Sequence, residues 1–385
     1  MKNILVVDDS ALMRRVISDI INSEEQLHAE WFASNGLEAL EILEEGNEVD
    51  AIVLDINMPK MDGMEFLREM KRRDDHTKVL IVSTLAREGG KETIEALELG
   101  AFDFVNKPTS LAVAKGPGFS RTLIWMLLAA TGLSTEGMTE QDESEEKEAE
   151  SKPVRQTQMQ RAKQVFSRAE RILPDGAKGD CSRHSKEPLG KGASKVVALA
   201  CSTGGPKALQ TLVPMLPKRL DAAVMIVQHM PEGFTNSLAK RLDELSEIRV
   251  KEAEHGEVLQ KGTVYIAKGG SQMRLIEKNK RMHTLSVTVE AARNSLKPCA
   301  DIMYESLMKS SFDEIVCVVL TGMGADGTQG ILQLEKTNKI YVIAQDEKTC
   351  TVYGMPKMIA QAEAVDEVAP LESIAMAITE HVGVL

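Results

Sequence analysis

Residues 195–209 read KVVALACSTGGPKAL. An apolar, β-branched run stops at a serine and a threonine; two glycines and a proline then lead into helix-compatible sequence. This is a strand, a tight turn and a helix with proline in its first turn, the repeating unit of a parallel α/β sheet. The same rhythm returns at "AAVMIVQ", "EIVCVVL" and "KIYVIAQ", three further apolar runs each followed by a loop and a helical pattern. Between the second and third of these, "GTVYIAKGGSQMRLIEKNKRMHTLSVTVE" alternates apolar and polar residues around turn signals and is expected to be an inserted β-hairpin. Ser202 follows the first strand. Taken alone it is either a helix cap or a nucleophile, and the stretch does not decide between them.

Toward the N-terminus a second α/β pattern stands apart. "NILVV", "AIVLD", "VLIVS" and "FDFVN" read as strands, with "SALMRRVISDIIN" a serine-capped helix and "GLEALEILEEG" a helix stopped by glycine. The fold class is therefore α/β, with two doubly wound parallel-sheet domains: residues 1–132 and a larger domain over residues 195–385 that carries the inserted hairpin. Residues 133–194 contain "STEGMTEQDESEEKEAESKPVRQTQ" and a glycine-rich, charged tail. That interval is expected to be a flexible acidic linker, helix-compatible over residues 158–172, because it has too little apolar surface to offset its ordering entropy.

Acidic residues outnumber basic ones by 58 to 46, and the formal charge of −12 opposes binding to nucleic acid or an anionic membrane surface. Five scattered cysteines without paired spacing suit a reducing, cytoplasmic setting better than a disulfide scaffold or a zinc site. The opening "MKNILVVDDS" lacks the long apolar core of a signal peptide. The run "TLIWMLLAATGL" is shorter than the ~20 residues of a membrane span and is expected to be a buried helix.

In doubly wound sheets the chemistry collects beyond the carboxyl ends of the strands. In the first domain those ends carry Asp8 and Asp9, Asp55, Ser83 and Thr84, and Lys107. Three carboxylates, a hydroxyl and an ammonium brought together would suit Mg²⁺, which prefers oxygen ligands, and would let an aspartate accept a phosphoryl group. "VVDDS", "LDINMPKMDG", "IVSTLA" and "FVNKP" resemble a response-regulator receiver domain. The resemblance implies Asp8, Asp9 and Asp55 as the Mg²⁺ site and Asp55 as phosphoacceptor. It also implies Ser83 and Lys107 as phosphoryl-site support, Phe104 in the place of the aromatic switch residue, and a histidine kinase as phosphodonor. The Lys107–Pro108 bond is a candidate for the cis form.

In the second domain Ser202 follows "VVALAC", His229 follows "AVMIVQ", and Asp326 lies in "LTGMGADG" after "EIVCVV". A serine needs a base to take its proton and a third group to orient that base. The order Ser, His, Asp and the missing leading glycine of G-x-S-x-G set the sequence apart from the α/β-hydrolases. "STGGP", "QHMP" and "LTGMGADG", in that order, resemble the catalytic domain of chemotaxis protein-glutamate methylesterases, the CheB-like family.

That resemblance implies Ser202 as nucleophile, His229 as general base and then acid, and Asp326 as orienting carboxylate. The substrate it implies is the γ-methyl ester of a receptor glutamate, with deamidation of receptor glutamines in some members. The backbone N–H groups of Met323 and Gly324 are the oxyanion candidates, and Thr203 stands beside the nucleophile to orient His229 or the loop. The resemblance further implies that the unphosphorylated receiver covers the cleft until Asp55 is phosphorylated. The partners are then methyl-accepting chemoreceptors and the chemotaxis histidine kinase, the esterase chemistry needs no cofactor, and nucleic acid plays no part. Two departures stand out: Ala200-Cys201 replaces a smaller Gly-Ala pair, with Cys201 expected to crowd the cleft or confer thiol sensitivity, and "KPCAD" at residues 297–301 replaces "RPSVD". A competing reading, a non-catalytic receiver adaptor that binds receptors or the kinase, has no physical need of Ser202, His229 and Asp326 together.

Overall fold

Parallel pairing on both sides of β1 (Lys2–Val7) organises the N-terminal unit of the computed structural model, which describes residues 1–83, 89–108, 116–133, 193–279 and 282–385. After β1 come α1 (Ala11–Ile21), β2 (Leu27–Ala33), α2 (Gly36–Glu44), β3 (Ala51–Asp55) and α3 (Gly63–Arg72). The unit continues with β4 (Lys78–Ser83), α4 (Gly89–Leu99), β5 (Asp103–Asn106) and α5 (Pro117–Ala130). The five strands run in the order β2-β1-β3-β4-β5. Ser10 caps α1 by accepting from Met13 N, as its sequence suggests. Strand β2 is an addition to the four expected strands. It lies at the sheet edge, and His28 and Glu30 interrupt its apolar residues, so it lacks the unbroken hydrophobic run of its neighbours.

The C-terminal unit contains β6 (Lys195–Cys201), α6 (Gly205–Leu212), β7 (Ala223–Gln228), α7 (Phe234–Leu245), β8 (Arg249–Glu252) and β9 (Thr263–Ile266). Next are β10 (Gln272–Asn279), β11 (Met282–Thr288), α8 (Ala300–Ser306), β12 (Glu314–Val319) and α9 (Thr328–Glu335). Then follow β13 (Ile340–Gln345), α10 (Met355–Gln361), β14 (Glu367–Ala369) and α11 (Leu371–Val382). Seven strands form one parallel sheet in the order β14-β13-β12-β6-β7-β9-β8. The first strand, β6, sits between β7 and β12, so the chain winds outward one way and then the other. The crevice beyond the carboxyl ends of β6, β7 and β12 is the switch point where such sheets bind ligands.

The inserted hairpin is smaller than expected. Residues Thr263–Ile266 pair in parallel with β7 and β8, and only β10 and β11 form the antiparallel ribbon. The alternation of "TVYIA" resembles a hairpin strand, but all four residues of β9 are buried: Val264 and Ile266 share a core with Phe234 and Leu238 of α7, and Tyr265 shares one with Met273 and Leu285 of the ribbon.

Helix α5 holds the apolar run near Trp125 and buries Leu123, Leu127 and Leu128 against β4, β5 and α1. No helix among the described residues is long and apolar enough to cross a membrane. The peptide bond expected to be cis at Lys107–Pro108 is trans, and the cis bond among the described residues is Lys297–Pro298. Lys107 N–H instead donates to Ser83 O at 2.6 Å, carrying the strand pairing on to the proline. Thr84, Cys181 and nearly all of the expected linker, including residues 158–172, lie outside the described residues.

Candidate active site

Ser202 leaves the end of β6 with its backbone fixed on three sides. Its N–H donates to Thr321 O at 3.1 Å, and its carbonyl accepts from Gly205 N at 2.7 Å and from Gln228 Nε2 at 3.0 Å. Gln228, the last residue of β7, is buried, and its amide also donates to His229 O at 3.2 Å. One side chain thus ties together the backbones of Ser202 and His229. The approach requires Gly205, where a Cβ would stand 1.9 Å from Gln228 Oε1. Gly204 before it adopts φ +74°, a conformation glycine takes without strain.

His229 Nε2 lies 2.7 Å from Asp326 Oδ2, and Ser202, Thr203 and His229 line one cavity of about 400 Å³. With Nε2 turned to the carboxylate, Nδ1 is the ring nitrogen left for the serine. Asp326 accepts two donors on each oxygen: His229 Nε2 and Ala300 N (2.6 Å) on Oδ2, Asp301 N (3.1 Å) and Cys299 Sγ (3.1 Å) on Oδ1. Burial opposes its ionisation, but the hydrogen bond and charge of His229 with the two N–H donors outweigh that and hold the carboxyl at about 2.

Asp326 therefore sits at the start of α8, while Asp301 in α8 accepts from Gly327 N (3.0 Å) and Gly330 N (2.6 Å) at the start of α9. Each aspartate caps the helix that the other's segment leads into.

The loop from Thr321 to Asp326 passes directly behind the serine. A Cβ on Gly322 would come within 2.8 Å of Ser202 Cβ, and Gly322 is pinned by Val352 O, Gly354 N and Met355 N. Among the described residues neither the Met323 nor the Gly324 N–H donates to a protein acceptor, so both are available to a ligand oxygen. Thr203 is buried, and its carbonyl accepts from Thr321 Oγ1 at 3.0 Å, which joins it to that loop. Cys201 is fully buried on β6 and directed at Val227 O, and burial pushes its thiol up. Its side chain therefore packs in the core and does not crowd the cleft.

Beyond the first sheet, Asp8, Asp9 and Asp55 bring carboxylate oxygens within 4.8 Å of one another. Lys107 Nζ is 2.5 Å from Asp55 Oδ2 and 2.7 Å from Asp8 Oδ2. Burial, and to a lesser degree the charge of Asp8, raise the Asp55 carboxyl despite the opposing pull of Lys107. Burial also works against the charge of Lys107, but its bonds to Asp55 and Asp8 raise it above the ordinary lysine value. Ser83 is buried at the end of β4. An oxygen-only cluster of this kind, already attracting an ammonium, fits a hard cation such as Mg²⁺.

Residues 197–378 match the family described as CheB methylesterase, and residues 4–114 match the response regulator receiver domain family. The chain is 39% identical over 376 residues to a protein-glutamate methylesterase/protein-glutamine glutaminase of Syntrophomonas wolfei, covering 97% of each. It is 38% identical over 382 residues to that of Bacillus subtilis, covering 99% of each. The chain belongs to the CheB family. Among solved structures, the CheB methylesterase catalytic domain of Thermotoga maritima is 38% identical, covering 99% of that chain and 50% of this one at a TM-score of 0.47. The response regulator domain of Thermotoga maritima CheB is also 38% identical, covering 98% of that chain and 35% of this one at a TM-score of 0.31.

In this CheB-family chain the receiver packs on the side of the second sheet that carries Gly204 and α7. Phe104 on β5 stacks on Phe234 of α7 with ring centroids 5.0 Å apart, and Glu98 on α4 pairs with Arg241 on α7. The buried carboxylate of Asp103 accepts from Gly204 N at 2.9 Å and from Phe104 N at 2.8 Å. Burial raises Asp103 to about 6 against the pull of those two donors. Asp103, Phe104 and Lys107 line the same cavity as Ser202 and His229.

Sequence reasoning did not single out Asp103, Gln228, Cys299 or Asp301 as site residues. The available signals were weak: Gln228 precedes His229 directly, and Asp301 is an acidic residue at the start of a helix.

Proposed function

We propose that this chain is a phosphorylation-controlled protein-glutamate methylesterase and protein-glutamine glutaminase that resets chemoreceptors during chemotaxis adaptation. The observation that carries the chemistry is the His229 Nε2–Asp326 Oδ2 contact of 2.7 Å beside a serine that lines the same cavity.

His229 Nδ1 takes the proton of Ser202 as Oγ attacks the γ-carbonyl carbon of a receptor glutamate methyl ester. The carbonyl π pair moves onto oxygen, which the N–H groups of Met323 and Gly324 receive. As the tetrahedral centre collapses, the bond to the methoxy oxygen breaks and His229 returns its proton, so methanol leaves and an acyl-serine remains. Water deprotonated by His229 then attacks the acyl carbon, the bond to Ser202 Oγ breaks, and the serine recovers its proton. With a receptor glutamine the leaving group is ammonia, and the remaining steps are the same. Throughout, Asp326 holds Nε2–H and balances the charge of the imidazolium.

Asp8, Asp9 and Asp55 would hold Mg²⁺, which when bound offsets the negative charge of an incoming phosphoryl group. Asp55 accepts that group from the chemotaxis histidine kinase, and Ser83 and Lys107 face it. Residues 1–132 serve as the regulatory domain and residues 195–385 as the catalytic one, joined by residues 133–194, and the chain acts in the cytoplasm on receptor tails. Release of the receiver from Phe234 and Gly204 opens the cavity to the receptor.

Methanol release from methylated receptor membranes, measured with and without a small-molecule phosphodonor, tests this reading. Turnover stimulated by the phosphodonor and lost in Ser202→Ala supports it. No release with Asp55 phosphorylated favours the non-catalytic adaptor instead.

A further inference from the structure

We propose that the Cys299 thiol is a positioning residue for catalysis: it donates its S–H to Asp326 Oδ1 and fixes the carboxylate that orients His229. The inference rests on the esterase reading above and extends its acid–base relay by one residue.

Cys299 Sγ lies 3.1 Å from Asp326 Oδ1, and Cys299 is fully buried. Its place is set from behind. Cys299 N–H donates to Gln272 Oε1 at 2.8 Å, and Gln272, itself fully buried, donates to Leu296 O at 2.9 Å. The sulphur is therefore held between a rigid strand end and the carboxylate rather than filling space. Burial first, and then the negative charge of Asp326, push the thiol up to about 12, so the sulphur keeps its proton and remains a donor.

Cys299, Asp301 and Asp326 also bring possible ligand atoms within 4.8 Å of one another. No cation is needed there. Both oxygens of Asp326 and Oδ1 of Asp301 already accept hydrogen bonds, and the thiol is protonated. The cluster is filled by donors.

Each Asp326 oxygen has two donors, and the thiol supplies one of the two on the oxygen that does not face His229. Without it the carboxylate gains basicity and holds the proton of the His229–Asp326 pair more tightly, so the His229 imidazole reaches its neutral, base-competent form only at higher pH.

Cys299→Val keeps the buried volume and loses the donor, whereas Cys299→Ser keeps a donor and introduces a smaller, polar atom. A packing role makes valine the milder change; a positioning role makes serine the milder one. In the full chain with phosphodonor, Cys299→Ser is expected to keep the pH profile of kcat/KM. Cys299→Val is expected to move its acid limb upward by roughly 0.5–1 unit and to lower the plateau about 3–10-fold. The His229 imidazole titration, followed by NMR on ring-labelled protein without substrate, should move in the same direction in Cys299→Val and stay in place in Cys299→Ser. An unshifted titration in folded Cys299→Val, or a serine variant shifted as far as the valine one, overturns the inference. Because the titration needs no turnover, it decides this point even if the wild-type chain releases no methanol and the esterase reading fails.

Discussion

Asp103 of the receiver and Gly204 of the catalytic domain share a hydrogen bond of 2.9 Å, two residues past Ser202. Gly204 precedes α6 and has no capping side chain from its own domain, so the receiver supplies a carboxylate to the helix that follows Ser202. Among the described residues that carboxylate has no cation partner, and burial raises it to about 6. Docking is therefore held by a hydrogen bond and opposed by a buried charge.

Replacing that charge while keeping an acceptor should tighten docking. Asp103→Asn retains an oxygen for Gly204 N–H and removes the cost of burying an anion. Unphosphorylated methanol release is expected to fall several-fold, with the phosphorylated rate unchanged. An unphosphorylated rate equal to or above wild type would show that the buried charge does not oppose docking.

The same carboxyl makes docking depend on pH. Its docked value, about 6, lies above the ordinary 3.8, so its contribution to docking is fully present below about 3.8 and is lost as pH rises through about 6. The full rise corresponds to roughly 3 kcal/mol, which burial within the receiver and burial by docking share, so docking carries a part of it. The ratio of unphosphorylated to phosphorylated activity should rise between pH 5 and pH 8, on the order of the ionisation window itself. Taking the ratio cancels the common titration of the catalytic groups, and Asp103→Asn should make it flat.

Apolar and charged contacts at this interface should differ in weight. Phe104 is buried and stacked, whereas Arg241 and Glu98 are partly exposed, where an ion pair contributes about 0.2–1 kcal/mol. Phe104→Ala is expected to raise unphosphorylated activity about tenfold or more, and Arg241→Ala less than about fivefold. The opposite ranking in the methanol assay would assign the interface to electrostatics.

Gly205 should not tolerate even alanine. The added Cβ would fall 1.9 Å from Gln228 Oε1, forcing the amide away from Ser202 O and His229 O. A cost of about 1–3 kcal/mol is expected, read as a lower Tm, together with a fall in kcat from the loosened serine and histidine. Unchanged kcat with a lowered Tm would limit Gln228 to a structural role.

Ser202→Ala removes the nucleophile from a fixed backbone. Methanol release is expected to fall about 10⁴-fold or more, with the circular dichroism spectrum and Tm preserved. Appreciable residual turnover would point to a different nucleophile.

Much of this site was legible because each group stands next to its own strand end. Ser202, His229 and Asp326 follow β6, β7 and β12, Asp8 and Lys107 follow β1 and β5, and Asp55 ends β3. Short-range pattern and the parallel-sheet rule suffice for such residues. Asp103 was not legible, because its partner lies 101 residues away and only docking brings the two together. Cys201 misled for a related reason: adjacency to Ser202 in sequence suggests adjacency in the cleft, but alternation along β6 turns its side chain into the core. Strand β9 was mistaken for part of the hairpin because four residues carry too little periodicity to separate a sheet strand from a ribbon.

The mutual caps of Asp301 and Asp326 join residues 300–301 to residues 326–330, whereas the receiver's hydrogen bond, ring stack and ion pair fall on Gly204, Phe234 and Arg241. Helices α8 and α9 cannot shift separately without exposing an uncapped end, so each holds the other in place beside His229. Under the proposed control, signalling sets how many molecules are open for work, while Gly204, Phe234 and Arg241, which hold the receiver, take no part in the doubly capped pair.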